Sequence, residues 1–87
     1  MEKLERRATE IRDRQVGITA RRIQNTKESN SAAALLFDGP PEVRDYLSLK
    51  LRYLQREREM LTAESEMLVM ELRILQAARK EEETRHE

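Results

Sequence analysis

The side chains that could do chemistry in this chain are few, and their spacing assembles no catalytic site. His86 is the single histidine, it stands next to last in a charged tail, and the chain has no cysteine. A nucleophilic triad needs a positioned histidine or its equivalent, and a zinc site needs several histidine or cysteine ligands. We therefore predict that the protein is not an enzyme and has no catalytic residue, cofactor or bound metal.

Glu57, Glu64 and Glu71 form a regular row of acidic side chains at seven-residue spacing. Di-metal helical bundles combine such carboxylates with a Glu-x-x-His motif, which this sequence lacks. Basic residues cluster at 6–14 and 50–58, but acidic residues are interleaved, unlike a stripe that follows a phosphate backbone. The sequence thus predicts a solvated acidic row and no nucleic-acid partner.

The composition indicates long helices rather than a compact mixed domain. Of the 87 residues, 39% are charged and 3% aromatic, with two glycines and two prolines, a profile typical of coiled coils. The longest unbroken apolar run covers residues 32–37, far fewer than the roughly 20 that cross a bilayer. We predict a single soluble, cytoplasmic domain without membrane insertion.

The first helix is predicted within residues 1–37. Apolar side chains recur there at three- and four-residue intervals from Leu4 to Ile23. Residues 24–31 contain no apolar side chain, so the helix either continues through them or breaks and restarts at an Asn30 or Ser31 cap. Of these alternatives we favour continuity.

Residues 38–41, Asp-Gly-Pro-Pro, predict the one clear chain reversal. Gly39 suits the left-handed position after a helix end, and Pro40 disfavours helix in the residue before it. Pro41 suits the first position of a following helix. The second helix is then predicted over 42–80, followed by a charged tail, 81–87, that frays in solvent.

The charge distribution favours an antiparallel arrangement of the two helices. Residues 1–37 hold eight Lys and Arg against five Asp and Glu, and residues 38–87 hold nine against twelve. A chain that folds back around Gly39 brings arginines near glutamates: Arg6 and Arg7 near Glu71, Arg12 and Arg14 near Glu66 and Glu64, Arg21 and Arg22 near Glu57 and Glu59. We therefore predict an all-α fold, an antiparallel two-helix coiled-coil hairpin.

The second helix carries two apolar seams, each with the alternating three- and four-residue steps of a coiled coil. The tyrosine–methionine seam consists of Tyr46, Leu49, Tyr53, Arg56, Met60, Ala63, Met67, Met70, Ile74 and Ala77. The leucine seam consists of Leu47, Leu51, Leu54, Arg58, Leu61, Ser65, Leu68, Leu72, Leu75 and Arg79. Because a hairpin supplies one neighbour for two seams, we predict that a further chain completes a multi-helix bundle.

The hairpin register sets the polar residues 24–31 opposite the apolar stretch 47–54, which helix 1 should leave uncovered. Uncovered apolar patches usually mark interfaces. The predicted partner-binding residues are Tyr46, Leu47, Leu49, Leu51, Tyr53, Leu54, Met60 and Met67. The predicted function is a non-catalytic helical protein–protein interaction module, a coiled-coil scaffold or adaptor that self-associates or docks into a larger helical assembly.

Residues 43–61, VRDYLSLKLRYLQREREML, combine a Val-Arg start with Leu47, Leu54 and Leu61 at regular spacing. With residues 19–23, TARRI, they resemble the REM repeat of Rho effectors, an antiparallel coiled-coil finger with a Gly-Ala-x-x-Leu element late in its first helix. Thr19 stands where that family has glycine. The resemblance implies an alternative function, binding of an active Rho-type GTPase on the exposed face of the finger.

Overall fold

The computed structural model describes residues 2–85, which form two long helices joined by a short turn. Helix α1 spans Glu2–Asp38 and helix α2 spans Pro41–Arg85. The two pack side by side in a rod with extents of 70 × 15 × 14 Å. The predicted all-α antiparallel hairpin is confirmed.

Helix α1 runs without a break through the polar residues 24–31. Its buried side chains recur every seventh residue, at Ile11, Ile18, Asn25 and Ala32. The stripe that faces α2 therefore continues through the polar stretch, with Asn25 occupying the position of an apolar residue. Continuity of the helix follows from this stripe, since Glu28 and Ser29 lie partly buried beside it and the other polar side chains of the stretch are exposed.

The leucine seam of α2 packs against α1. Leu47, Leu54, Leu61 and Leu68 are buried, and Leu72 and Leu75 pack partly buried against the cluster that Ile11 and Ile18 form with Leu61 and Leu68. The expectation that α1 leaves Leu47 and Leu54 uncovered is wrong, because they are 4% and 1% exposed. Asn25 and the small Ala32 continue the buried stripe of α1 along this part of the seam.

Polar residues within the seam bond one another across the two helices. The Gln15 amide donates to the Ser65 carbonyl at 3.1 Å, and the Ser65 hydroxyl donates to Gln15 Oε1 at 2.8 Å. Asn25 Nδ2 donates to the Leu54 carbonyl at 2.8 Å and to Glu57 Oε1 at 2.9 Å. Within residues 2–85 no buried side-chain nitrogen or oxygen lacks a partner. Such pairs form in one alignment of the helices and therefore fix the register.

The turn uses Gly39 for space rather than for a left-handed backbone. No glycine of the described chain has a positive φ, so the predicted left-handed conformation is wrong. A Cβ at Gly39 would lie 2.8 Å from the Leu35 carbonyl oxygen and 3.4 Å from Val43 Cγ1. The Pro40 carbonyl accepts hydrogen bonds from the amides of Val43 and Arg44 at 3.0 and 3.1 Å, which starts α2.

Helix α2 continues to Arg85, five residues beyond the predicted end at Lys80. Arg79 and Glu83 form an ion pair at 3.6 Å, and the Thr84 hydroxyl donates to the Lys80 carbonyl at 2.8 Å. Side chains four residues apart meet on a helix surface, so these contacts support the last turn. His86 lies outside the described residues.

The assignment of the leucine seam to the hairpin core predicts different effects for two leucines of α2. We expect Leu54→Ala to lower the free energy of unfolding by about 2–5 kcal/mol, because a buried side chain leaves a cavity. Leu49, 62% exposed, is the matched control, and Leu49→Ala should change the free energy of unfolding by less than about 0.5 kcal/mol. Urea unfolding at low protein concentration, followed by circular dichroism, measures both. Equal effects would contradict the assignment.

The buried amide of Asn25 predicts a second contrast, within α1. Asn25→Ala removes two hydrogen bonds across the helices and should lower the free energy of unfolding by about 1–3 kcal/mol. Asn30, exposed to solvent in the same helix, is the control, and Asn30→Ala should have an effect within about 0.5 kcal/mol. If Asn25→Ala unfolds at the same urea concentration as the unmodified chain, the two hydrogen bonds of the amide do not stabilise the hairpin.

Candidate protein-interaction surface

The tyrosine–methionine seam lies open to solvent along α2. Its large apolar side chains are all between 62% and 73% exposed: Tyr46, Leu49, Tyr53, Met60, Met67, Met70 and Ile74. Their three- and four-residue spacing places them on one face of the helix. Contiguous exposed apolar surface of this kind is typical of interaction sites.

A shallow groove crosses the middle of this seam. Tyr53, Met60, Ala63 and Met67 line it, together with polar side chains at its edge. Ala63 is small, so the surface between Met60 and Met67 is recessed. A recess between larger side chains is the shape into which a knob of a neighbouring helix packs.

The Glu57–Glu64–Glu71 row lies beside this seam and is occupied by arginines of α1. Arg21 Nη2 lies 2.6 Å from Glu57 Oε1, and Arg14 Nε lies 2.6 Å from Glu64 Oε2. Arg7 Nη2 donates to Glu71 Oε1 at 2.9 Å. These are the pairings that the charge distribution predicted for Arg7, Arg14 and Arg21.

The predicted pairings of Arg6, Arg12 and Arg22 do not form within residues 2–85. Arg7, Arg14 and Arg21 recur every seven residues and therefore share one side of α1. The other three arginines are offset from that side by one or two residues, which turns each by 100° or more around the helix at about 3.6 residues per turn. Heptad spacing, more than proximity in sequence, decides which arginines reach α2.

These ion pairs shift the titration of the glutamates. The Arg21 guanidinium, and after it the Asn25 amide, hold the pKa of the Glu57 carboxyl below its usual value. Hydrogen bonds from Arg14 and Arg7 likewise lower the pKa of Glu64 and of Glu71. The row thus stays ionised and bonded within the hairpin, and its carboxylates are engaged by arginine.

The predicted partner-binding residues fall into two groups. Tyr46, Leu49, Tyr53, Met60 and Met67 lie in the exposed tyrosine–methionine seam. Leu47 and Leu54 lie in the hairpin core and Leu51 is half-buried beside them. The prediction omitted Met70 and Ile74, which the same spacing identifies as members of the exposed seam.

Neither helix, over residues 2–85, has a stretch long and apolar enough to cross a membrane. Within that range no group of three or more His, Cys, Asp or Glu side chains could hold a metal ion. Comparison with protein-family models, curated proteins and solved structures found no match to this chain. The likeness to the REM-type finger stays a prediction.

The lowered pKa values of Glu57, Glu64 and Glu71 predict a loss of stability in acid. A carboxyl whose pKa is lower in the folded chain stabilises the fold above its unfolded pKa, and this contribution disappears as the pH falls through the folded pKa. We therefore expect the urea concentration at the unfolding midpoint to decrease once the pH drops below about 4.5, the usual pKa of Glu. The variant E57Q/E64Q/E71Q should lose much less stability over the same range.

Asp13 and Glu81 provide the control for this acid titration, because neither forms an ion pair within the described residues. The variant D13N/E81Q should keep the pH dependence of the unmodified chain. Urea titrations from pH 3 to pH 7, followed by circular dichroism, measure all three proteins. A triple variant as acid-sensitive as the unmodified chain would show that the row does not stabilise the hairpin.

Proposed function

We propose that the chain is a non-catalytic helical protein–protein interaction module of the cytoplasm, and that the tyrosine–methionine seam is its binding surface. One observation carries the proposal: α2 has coiled-coil spacing on two sides, and α1 covers the leucine seam alone. A scaffold or adaptor that associates with itself or with another helical chain would use the uncovered seam. The proposal explains why the apolar side chains continue along both sides of α2.

The chemistry of the seam supports binding to a helix. Full burial of a large apolar side chain contributes about 1.5–3 kcal/mol to the free energy of binding. Part of the sum over the seam offsets the translational and rotational entropy that two chains lose when they associate. Tyrosine and methionine are enriched at protein interfaces, and the flexible methionine side chain adapts to irregular neighbours. Met60 and Met67, with the recess at Ala63 between them, therefore form the centre of the proposed surface.

The finger shape of the hairpin supports a second candidate, binding of a Rho-type small GTPase. The REM-type resemblance implies contact on the exposed face, and in the 70 Å rod that face includes the tyrosine–methionine seam. This function requires that the GTPase bind the hairpin in its GTP-loaded form and not in its GDP-loaded form. Calorimetry with GTP-loaded and GDP-loaded GTPase separates it from the first candidate, since binding of the GTP-loaded form alone would support it.

The binding surface is tested by introducing charge into its centre. In M60E/M67E two exposed apolar side chains become carboxylates, so we expect the hairpin to stay helical but to lose association. The control, Q55E/Q76E, adds the same charge at exposed positions outside the seam and should associate like the unmodified chain. Sedimentation equilibrium gives the mass, and circular dichroism gives the helix content.

One outcome of this experiment tests which surface binds, and another tests whether the partner is a copy of the same chain. If M60E/M67E associates as strongly as the unmodified chain, the tyrosine–methionine seam is not the binding surface. If the unmodified chain stays at the monomer mass of 10.3 kDa, the GTPase calorimetry decides whether the seam binds a different chain. M60E/M67E serves as the negative variant in that measurement as well.

A further inference from the structure

We infer that the partner of the tyrosine–methionine seam is a second copy of this chain, whose α2 lies antiparallel on the first with the twofold axis near Arg58. The inference rests on the proposed function and adds the partner, orientation and register. In this register Tyr46 faces Met70 of the second copy, Leu49 faces Met67, Tyr53 faces Ala63, and Arg56 faces Met60. The large Tyr53 side chain thus opposes Ala63, the recessed position of the seam.

Charges without a partner in the hairpin indicate this arrangement. The outer row, Asp45, Arg52, Glu59, Glu66 and Arg73, recurs every seven residues along the edge of the seam away from the Glu57–Glu64–Glu71 row. All five side chains are exposed, and none forms an ion pair within residues 2–85. The glutamates on the near edge, by contrast, are each matched by an arginine of α1. The outer row is therefore the set of flanking charges left for another chain.

The outer row is complementary to itself when read in the reverse direction. In the antiparallel register Asp45 meets Arg73 of the second copy, and Arg52 meets Glu66; by symmetry each contact occurs twice. On the near edge Lys50 meets Glu64 of the second copy, a carboxylate that Arg14 also bonds within the hairpin, and Glu57 faces its own copy. The one like-charge contact of the outer row, Glu59 with Glu59 on the axis, lies beside the two Arg56 side chains. Flanking charges of this kind set orientation in coiled coils.

Other arrangements of the same seam bring like charges together. A parallel pair of α2 helices gains opposite-charge contacts at Asp45–Lys50 and Arg52–Glu57. It also sets Glu59 against Glu64 of the second copy, Glu66 against Glu71, and Arg56 against its own copy inside the seam. An antiparallel pair shifted by one heptad in one direction sets Arg52 against Arg73 and Glu59 against Glu66. Shifted in the other direction, it sets Asp45 against Glu66 and keeps only Arg52 opposite Glu59 on the outer row. Like-charge contacts at a helix interface disfavour the wrong partner or register. The flanking charges thus select the antiparallel register centred near Arg58.

The hairpins can meet in this way without disturbing their own cores. The leucine seam and the tyrosine–methionine seam lie on different sides of α2, since their residues are about 100° or more apart around the helix. A second α2 on the open seam does not replace α1 on the leucine seam. The helices of the complex then follow the order α1, α2, α2 of the second copy, and its α1.

A charge exchange between Arg52 and Glu66 tests the inference. The two residues lie fourteen positions apart on α2, about 21 Å at 1.5 Å per residue, so they cannot pair within one chain. R52E and E66R should each raise the dissociation constant of the dimer about tenfold, because each replaces two ion pairs with like-charge contacts. R52E/E66R restores opposite charges across the interface and should return the constant to within about threefold of the unmodified chain.

Sedimentation equilibrium over a concentration series measures these four proteins, with circular dichroism to verify that each stays helical. A dimer that both single variants weaken and the double variant restores supports the inference. A dimer that the single variants leave unchanged, or that the double variant fails to restore, overturns the register. An unmodified chain that stays monomeric at every concentration overturns self-association. It does not overturn the proposed function, which the GTPase calorimetry then tests. Persistence of the dimer in M60E/M67E would instead contradict the proposed surface.

Single cysteines give an independent measure of orientation, since the chain has none of its own. The antiparallel register places Glu59 near the axis, so E59C should form a disulfide-linked dimer under mild oxidation. L49C alone should crosslink poorly, but a mixture of L49C with M67C should crosslink readily. A parallel pair would give the reverse result, efficient crosslinking of L49C with itself, and would overturn the antiparallel arrangement.

Discussion

A chain that folds back once supplies one neighbouring helix, whereas α2 has apolar seams on two of its sides. This constraint determines the rest of the molecule. Helix α1 covers the leucine seam, with Ile11 and Ile18 packed against Leu61 and Leu68. The tyrosine–methionine seam has no helix left to cover it. A two-helix chain cannot cover both seams by itself, which is why we propose that a second chain covers the open one.

Polar contacts decide how the covered seam is aligned. Apolar side chains along a helix would tolerate a slip of one heptad, because the next layer also presents leucine. Asn25 and the Gln15–Ser65 pair remove that freedom, since their hydrogen bonds reach specific atoms of α2. The arginines of α1 add pairs at the same spacing. Alignment of the hairpin and exposure of the tyrosine–methionine seam are therefore two results of one register.

The same register divides the charges of α2 into two sets. Glu57, Glu64 and Glu71 face α1 and bond its arginines, whereas the outer row faces solvent. Charges that are matched inside the hairpin stabilise its orientation and contribute little to a partner. Charges on the outer row have no such role within the described chain, and they flank the exposed apolar seam. Apolar surface and unmatched charge thus coincide on one side of the molecule.

Much of this arrangement follows from the sequence, because heptad spacing and turn chemistry are local signals. Residue types at regular intervals predicted both seams of α2, the reversal at residues 38–41 and the pairing of Arg7, Arg14 and Arg21. Burial of Leu47 and Leu54 was missed, since the polar composition of residues 24–31 conceals that Asn25 occupies a seam position. The prediction of a left-handed backbone at Gly39 failed for a related reason, because composition alone does not show how closely Leu35 and Val43 approach Gly39.

Three of the four methionines, Met60, Met67 and Met70, lie in the tyrosine–methionine seam. Nuclear magnetic resonance of ¹³C-labelled methionine methyl groups over a concentration series therefore observes the seam directly. We expect the three seam signals to shift together as the protein concentration rises, with one common midpoint. Seam signals that do not move at any concentration would contradict the inference that a second copy covers this surface.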